Sequence, residues 1–85
     1  MTNAKPLAGV QTVYDRNGDV LLSGAWESKN LFRAVSGGNP SYWQGRRILD
    51  IGSNSSGLSV ELARAGASVV AAEPDPYKNR RAPAL

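Results

Sequence analysis

The residues best suited to bind a ligand lie between positions 50 and 75, around the sequence GSNSSG at 52–57. Turns of small residues that open a helix leave backbone N–H groups free, and those groups favour polar or negatively charged ligands. Glu73 follows Gly52 by about 20 residues, the offset at which a carboxylate accepts hydrogen bonds from ribose hydroxyls. These residue types and this spacing indicate a site for a nucleotide-like cofactor.

The candidate cofactor-binding residues lie in this turn, just before it, or at the end of the next predicted strand. They are Asp50, Gly52, Ser53, Asn54, Ser56, Gly57, Glu73 and Asp75. Each also has an ordinary structural explanation: Asn54 suits a left-handed turn position, and Ser55 or Ser56 suits a helix cap. Glu73 is explained as a solvated acid at a strand end, and Asp50 as an acid that bonds the backbone of the following loop. The order and spacing of the whole set favour binding.

A β-α-β unit over 46–85 is predicted to position these residues. Residues 48–51 form a short apolar strand of the kind that is covered on both faces in parallel sheets. The helix shows an apolar stripe and Gly66 is suited to end it; the stripe consists of Leu58, Leu62 and Ala65. A second strand follows at 69–72, and the unit is expected to be parallel and right-handed. The fold class is therefore α/β.

Two further segments precede this unit. Residues 1–9 are polar and contain proline, so we expect a flexible leader. Residues 10–45 are expected to form a β-hairpin, a helix and a connecting loop. Asn17-Gly18 marks the hairpin turn, because these residues tolerate positive φ. The helix is predicted over about 29–36 with Ser28 as its cap, and the hairpin is expected to cover an edge of the domain.

Three aromatic residues in the N-terminal half admit two explanations. Trp26 stands at roughly helical spacing from later apolar residues, and such an aromatic is more often packed than part of a site. Tyr42 and Trp43 are expected to pack where the chain enters the sheet, with a position beside a ligand as the alternative. Packing is the preferred prediction for all three.

Composition excludes several kinds of site. The 85 residues contain no Cys and no His, which rules out disulfides, Cys/His zinc sites and Cys or Ser–His nucleophiles within this chain. The net charge is +3, and the basic cluster Lys78, Arg80 and Arg81 is explained as a solvated helix face or tail. Nucleic-acid binding is therefore not supported. No apolar run approaches the length of about 20 residues that a membrane helix needs, and a cytoplasmic location is the simplest assignment.

The sequence ILDIGSNSSG at 48–57, followed by VVAAEPD at 69–75, resembles the first two motifs of class I S-adenosylmethionine-dependent methyltransferases. The first motif is usually written [DE]-x-G-x-G-x-G, and Asp50 and Gly52 match it. Asn54 and Ser56 occupy its second and third glycine positions. The second motif is an acid at the end of the next strand, often before proline, and Glu73-Pro74 matches it. The resemblance covers about residues 45–78.

The resemblance implies a Rossmann-like sheet, S-adenosylmethionine as cofactor and an unknown methyl acceptor as substrate. Gly52, Ser53 and Asn54 would lie along the methionine end of the cofactor. Glu73 would hold the ribose 2′- and 3′-hydroxyls, and Asp75 or Tyr77 would lie near the adenine. No residue is identified as catalytic.

Two alternatives stay open. Gly52, Asn54 and Gly57 could form a dinucleotide fingerprint for an NAD(P) or FAD cofactor that has lost its middle glycine. Asp50 favours S-adenosylmethionine over this alternative, because dinucleotide folds commonly have an apolar residue there and S-adenosylmethionine carries a cationic amino-acid portion. The other alternative is a truncated, non-catalytic β-α-β fragment that binds a partner through an uncovered sheet edge.

The resemblance also leads us to expect that more chain is needed for catalysis. Methyltransferases of this class have a seven-stranded sheet, and this sequence supplies its first two strands. We therefore expect the N-terminal part of a longer enzyme, with the remainder of that chain as a partner. An isolated two-stranded parallel unit leaves apolar faces and edges uncovered, so we expect marginal stability and weak cofactor binding.

Overall fold

The computed structural model describes residues 5–83, which form a small α/β protein with three pairs of short strands and three helices. The strands are β1 (Leu7–Gln11), β2 (Val13–Tyr14), β3 (Val20–Leu22), β4 (Gly24–Trp26), β5 (Arg47–Ile51) and β6 (Ser68–Ala72). The helices are α1 (Ser28–Ser36), α2 (Gly57–Arg64) and α3 (Pro76–Asn79). The α/β class predicted from the sequence is confirmed.

The C-terminal half contains the predicted β-α-β unit. Strands β5 and β6 pair in parallel, with Leu49 opposite Val70 and Asp50 opposite Ala71. Helix α2 connects the two strands and packs against β6. Gly66 follows the helix with a φ of 95°, a left-handed conformation that costs glycine little. The periodicity of the sequence was sufficient to place all three elements.

Only one face of the β5–β6 pair is covered. Alternate residues of both strands are partly buried beneath α2, whereas the residues between them are open to solvent. The side chains of Leu49, Ile51 and Val70 are 61%, 78% and 64% exposed. The prediction that β5 is covered on both faces is therefore wrong for the described residues, because a helix packs on one side only. The related expectation of an uncovered apolar face is confirmed.

The N-terminal half forms the predicted hairpin in a shorter version. Strands β2 and β3 pair antiparallel, and the turn between them is held by the Asp15 carboxylate. Asp15 Oδ1 accepts hydrogen bonds from the N–H groups of Asn17 (2.8 Å) and Asp19 (2.9 Å). Gly18 has a φ of 88°, as the Asn-Gly turn signal requires.

Strand β4 was not predicted, and β1 overlaps the predicted first strand of the hairpin only at Val10 and Gln11. The two strands run parallel, with Leu7 opposite Gly24 and Gln11 opposite Trp26. Residues 7–9 of the expected leader therefore lie in a strand, and residues 1–4 lie outside the described residues. A Cβ atom on Gly24 would overlap the Val10 carbonyl oxygen, so this close approach requires glycine.

Helix α1 begins one residue earlier than predicted and has a different cap. Glu27 is the capping residue, and its Oε1 accepts a hydrogen bond from the Lys29 N–H at 3.0 Å. Ser28, the predicted cap, is the first helical residue and is fully buried. Glu27 caps the helix because its carboxylate also accepts a hydrogen bond of 2.6 Å from the Tyr14 hydroxyl, and this bond fixes the side chain.

The aromatic residues divide between packing and exposure. Trp43 donates from Nε1 to Ser36 Oγ at 3.0 Å. Tyr42 contacts the Trp43 ring edge-to-face, with the ring centroids 4.7 Å apart, but is itself 45% exposed. Trp26 is 55% exposed, so the prediction that it packs is wrong. It is the last residue of strand β4, where the preceding residue Ala25 is exposed as well.

Helix α3 ends at Asn79, before Pro83. The nearby basic residues bind their own helix. Arg80 Nε donates to the Pro76 carbonyl at 3.2 Å, and the Arg81 guanidinium lies 3.8 Å above the Tyr77 ring. No helix within residues 5–83 has both the length and the apolar character required to cross a membrane.

The buried interior of the described residues is small and largely polar. Its apolar members are Val10, Val13 and Leu62. Its polar members are Gln11, Thr12, Ser28, Ser36, Ser53, Asn54, Ser55, Ser56 and Ser59. Because a buried polar group without a partner costs about 1–3 kcal/mol, the stability of this fold depends on hydrogen bonds inside it.

The contact between Tyr14 and Glu27 predicts a pH-dependent stability. Its hydrogen bond, with smaller contributions from burial and from the charges of Glu27 and Glu61, raises the pKa of Tyr14 from 10.0 to about 12. Because the folded-state pKa lies above the unfolded value, the contribution to stability is full below pH 10 and is lost as the pH rises toward 12. We expect urea unfolding to show this loss in the wild type and a smaller one in Glu27→Gln.

Absorbance titration measured against Tyr14→Phe isolates the same phenol. Glu27→Gln should lower the pKa of Tyr14 clearly, and Glu61→Gln, the matched control, should lower it less, because Glu61 acts only through its charge. Equal effects of the two substitutions would show that the hydrogen bond is not the main cause.

Candidate functional site

The turn after β5 is anchored to the end of β6. The N–H groups of Gly52 and Ser53 both donate to the Ala72 carbonyl, at 2.7 Å and 3.1 Å. These bonds continue the strand pairing beyond Ile51, so the turn begins at the carboxyl end of the two parallel strands. In open α/β sheets this edge is where ligands bind.

The backbone of the turn alternates into the left-handed region. Gly52, Asn54 and Ser56 have φ values of 72°, 63° and 67°. These are the three positions at which the methyltransferase motif has glycine. Left-handed backbone costs a residue with a Cβ roughly 1–2 kcal/mol, with Asn the most tolerant. The backbone of the turn therefore has the conformation that favours glycine at all three positions, although two of them carry side chains. The left-handed conformation expected for Asn54 is confirmed.

The Asn54 side chain connects the turn to β1. Its Oδ1 accepts hydrogen bonds from the N–H groups of Gln11 (3.0 Å) and Ser55 (2.7 Å). Its Nδ2 donates to the Gly9 carbonyl at 2.8 Å. The residue is buried and all of these bonds are internal, so the amide group is a structural link between two segments far apart in the sequence.

Gln11 is a site residue that the sequence did not reveal. Its side-chain Oε1 accepts a hydrogen bond of 2.9 Å from the N–H of Leu58 in the first turn of α2. Its carbonyl oxygen accepts one of 2.6 Å from Ser55 Oγ. Gln11 and Leu58 are separated by 47 residues, and a lone glutamine in a strand pattern carries no signal of such a contact.

Gln11 also supplies the cap that the sequence assigned to Ser55 or Ser56. Ser56 occupies the position before α2, but its side chain caps no backbone N–H. Its hydroxyl is instead 3.5 Å from Ser53 Oγ. A left-handed φ at Ser56 replaces the extended conformation in which a serine usually caps a helix, which explains why the local prediction was wrong.

The two glycines of the turn have different surroundings. A Cβ on Gly57 would overlap the Thr12 carbonyl oxygen and would lie 3.1 Å from Ser28 Cβ, so Gly57 permits close packing of the N-terminal half on α2. A Cβ on Gly52 would meet no atom within 4 Å. Gly52 is therefore the glycine beside which a ligand has room.

Glu73 bridges the turn and the loop after β6. Its Oε1 accepts a hydrogen bond of 2.6 Å from the Asn54 N–H, and its Oε2 accepts one of 2.9 Å from the Asp75 N–H. A carboxylate offers about four lone-pair positions, so each oxygen of Glu73 can accept one more bond. The residue is partly exposed, and two backbone groups hold its carboxylate in a fixed orientation.

The remaining predicted site residues make local contacts. Asp50 lies on the face of β5 that α2 covers, and its Oδ2 accepts a hydrogen bond of 2.6 Å from Ser59 Oγ. The Asp75 side chain caps α3 by accepting from the Tyr77 N–H at 2.9 Å. Both Asp75 and Tyr77 are exposed at the start of that helix.

The predicted site residues thus fall into two groups. Glu73 joins Asn54 and Asp75 directly, and Gly52 opens to solvent beside them. The residues of the turn that follow Gly52 are buried under β1 and the segment after it. Accessible ligand-binding groups are therefore concentrated at Gly52 and around the Glu73 carboxylate.

No protein-family model, curated protein or solved structure matches this chain. Among residues 5–83, no group of three or more His, Cys, Asp or Glu side chains is placed to hold a metal ion.

The left-handed backbone at Ser56 predicts that glycine stabilises the fold there. Ser56→Gly should raise the free energy of unfolding by up to about 1 kcal/mol, because it removes the strain of a Cβ at positive φ. Ser56→Ala keeps this strain and should not stabilise. The measurement is urea unfolding followed by circular dichroism.

Ser53→Gly is the matched control, because Ser53 is equally buried in the same turn but does not have a positive φ. Glycine there adds chain entropy to the unfolded state and removes the same Ser53–Ser56 hydroxyl contact that Ser56→Gly removes, so it should destabilise by about 0.5–1 kcal/mol. Destabilisation of the same size in Ser56→Gly would contradict the strained conformation of Ser56.

Proposed function

We propose that residues 46–85 are the cofactor-binding, Rossmann-like part of an S-adenosylmethionine-dependent methyltransferase whose methyl acceptor is unknown. One observation carries the proposal: the three glycine positions of the motif all have left-handed backbone, at Gly52, Asn54 and Ser56. A motif match in letters alone, with two glycines replaced, would be weak. The motif match is stronger because the backbone at these positions has the left-handed conformation that glycine favours.

The Glu73 carboxylate supports the ribose-binding role. It stands at the end of β6, partly exposed, and each of its oxygens keeps an acceptor position after bonding Asn54 and Asp75. Two adjacent acceptors on a rigidly held carboxylate suit the two adjacent hydroxyls of a ribose. Asp75 or Tyr77, exposed on the same loop, would lie on the adenine side.

The methionine end of the cofactor is assigned to Gly52 and the turn that follows it, with Asp50 as the nearest acid in the sequence. The open space beside Gly52 fits an approaching ligand. S-adenosylmethionine supplies an electrophilic methyl group on a sulfonium. The residues of this chain bind and orient it, and alignment of a nucleophile with that methyl group can supply much of the rate. No residue is assigned a catalytic proton transfer.

A non-catalytic interaction fragment is the second candidate function. The observation that favours it is the open apolar face of β5 and β6, formed by Leu49, Ile51 and Val70. Exposed apolar patches of this kind mark contact surfaces. The same face is also expected in an enzyme whose sheet continues, so it does not weigh against the first candidate. A dinucleotide cofactor is less favoured, because Asp50 replaces the apolar residue common at that position. A cytoplasmic location forms part of the proposal.

Binding of S-adenosylhomocysteine tests the proposal. Two-dimensional NMR titration detects weak complexes, and we expect shifts at 50–57 and 73–77 with a dissociation constant weaker than micromolar. Glu73→Gln keeps an oxygen for the Asn54 N–H but replaces the other carboxylate oxygen, an acceptor, by an amide donor. It should therefore weaken binding of the ligand about tenfold or more, because at least one charge-assisted hydrogen bond is lost. Glu73→Ala should abolish binding.

Asp19→Ala is the control for loss of an acid, because Asp19 is exposed in the hairpin turn. It should leave the titration unchanged. Absence of shifts in the wild type at millimolar ligand, or unchanged affinity in a folded Glu73→Gln variant, would remove the proposed function. Micromolar binding would contradict the expectation that this chain holds the cofactor only weakly.

A further inference from the structure

The start of α2 is already occupied by another part of the chain. Residues Gly9–Thr12, called here the cover segment, lie across the turn and meet it through four hydrogen bonds. Three of these involve Gln11: its N–H, its carbonyl and its side-chain Oε1. As a result Ser53 and Ser55 are almost completely buried, although they belong to the turn expected to face the ligand.

The hydrogen bond from the Leu58 N–H to Gln11 Oε1 shows which acceptor now occupies the start of α2. The free N–H groups in the first turn of a helix favour an acceptor with negative charge. Gln11 offers a neutral amide oxygen at 2.9 Å. Charge-assisted hydrogen bonds are roughly twice as strong as neutral ones. A carboxylate-bearing ligand would therefore bond this N–H more strongly than Gln11 does.

A second, independent observation concerns Ser28, which packs against the first residue of α2. The Ser28 hydroxyl is the one buried side-chain polar atom among residues 5–83 that lacks a hydrogen-bond partner. Ser28 is fully buried, and its Cβ would be 3.1 Å from a Cβ on Gly57, the first residue of α2. An unpaired buried hydroxyl costs about 1–3 kcal/mol, so a polar ligand group that reached the Ser28 hydroxyl would remove this cost.

We propose that the cover segment is an internal competitor for the cofactor: a carboxylate-bearing ligand displaces the Gln11 amide from the start of α2. This inference rests on the proposed function, because S-adenosylmethionine carries a carboxylate on its amino-acid portion. The hydrogen bonds of Gln11 to the turn and to α2 all join neutral groups. Cofactor affinity is thereby set partly by a residue 47 positions before Leu58 in the sequence.

Two substitutions at Gln11 test this in opposite directions. Gln11→Met keeps a similar shape but removes the acceptor, so S-adenosylhomocysteine no longer competes for the Leu58 N–H. Its affinity should rise about 2- to 10-fold, the value of one net hydrogen bond. Gln11→Glu places a carboxylate at the same N–H, and the affinity should fall by a similar or larger factor. Gln44→Met and Gln44→Glu are the matched controls, because Gln44 is exposed and lies outside the cover segment.

Nuclear magnetic resonance of the wild-type chain gives a second measurement that no misfolded variant can obscure. Saturating S-adenosylhomocysteine should move the side-chain amide resonances of Gln11 toward those of the exposed Gln44, because the ligand takes the place of Gln11 Oε1 at the Leu58 N–H. The Gln11 backbone N–H should keep its bond to Asn54 Oδ1. Gln11 side-chain resonances that stay in place upon binding would overturn the competition.

The outcomes separate this inference from the function on which it rests. If S-adenosylhomocysteine binds, Glu73→Gln weakens binding and the Gln11 variants behave like the Gln44 controls, the cofactor site stands and the competition is wrong. If neither the wild type nor Gln11→Met binds at millimolar ligand, both are wrong. If the wild type binds and Gln11→Met binds more tightly than the wild type, both are supported.

Discussion

The Asn54 side chain holds together the two halves of the described structure. Its amide bonds the backbone of Gly9 and Gln11 on one side and the N–H of Ser55 on the other. Without these bonds, the buried N–H of Gln11 would lose its partner, and such a loss is costly in a protein interior. The pairing of β1 with β4 places these groups where Asn54 can reach them. The N-terminal strands therefore form part of the turn's environment.

This dependence on polar contacts follows from the size of the protein. A domain of 85 residues buries a smaller share of its surface than a larger one, and the apolar side chains buried here are Val10, Val13 and Leu62. One face of the β5–β6 pair is open, so it adds little apolar burial. Satisfied hydrogen bonds among small polar residues hold the turn in a strained left-handed path. The same network fixes the Glu73 carboxylate in the orientation on which the proposed cofactor site depends.

The features that the sequence predicted well are those with a local physical cause. The alternation and apolar runs placed β5, α2 and β6, and the Asn-Gly pair placed the hairpin turn. The features it missed depend on contacts between distant segments. Glu27 caps α1 instead of Ser28 because Tyr14 fixes its carboxylate. Gln11, and neither serine of the turn, caps α2 because β1 lies across it.

The sequence by itself determined which residues are available for chemistry: a small polar turn after a strand, an acid at the end of the next strand, and no Cys or His. Short-range sterics and hydrophobic periodicity are sufficient for these conclusions. Only the tertiary structure decided which of those residues are accessible. Asn54 and Ser56 are buried, whereas Gly52 and the Glu73 carboxylate face space that a ligand can enter. Accessibility depends on what packs over the turn, and the packing of β1 on it follows from hydrogen bonds that span more than 40 residues.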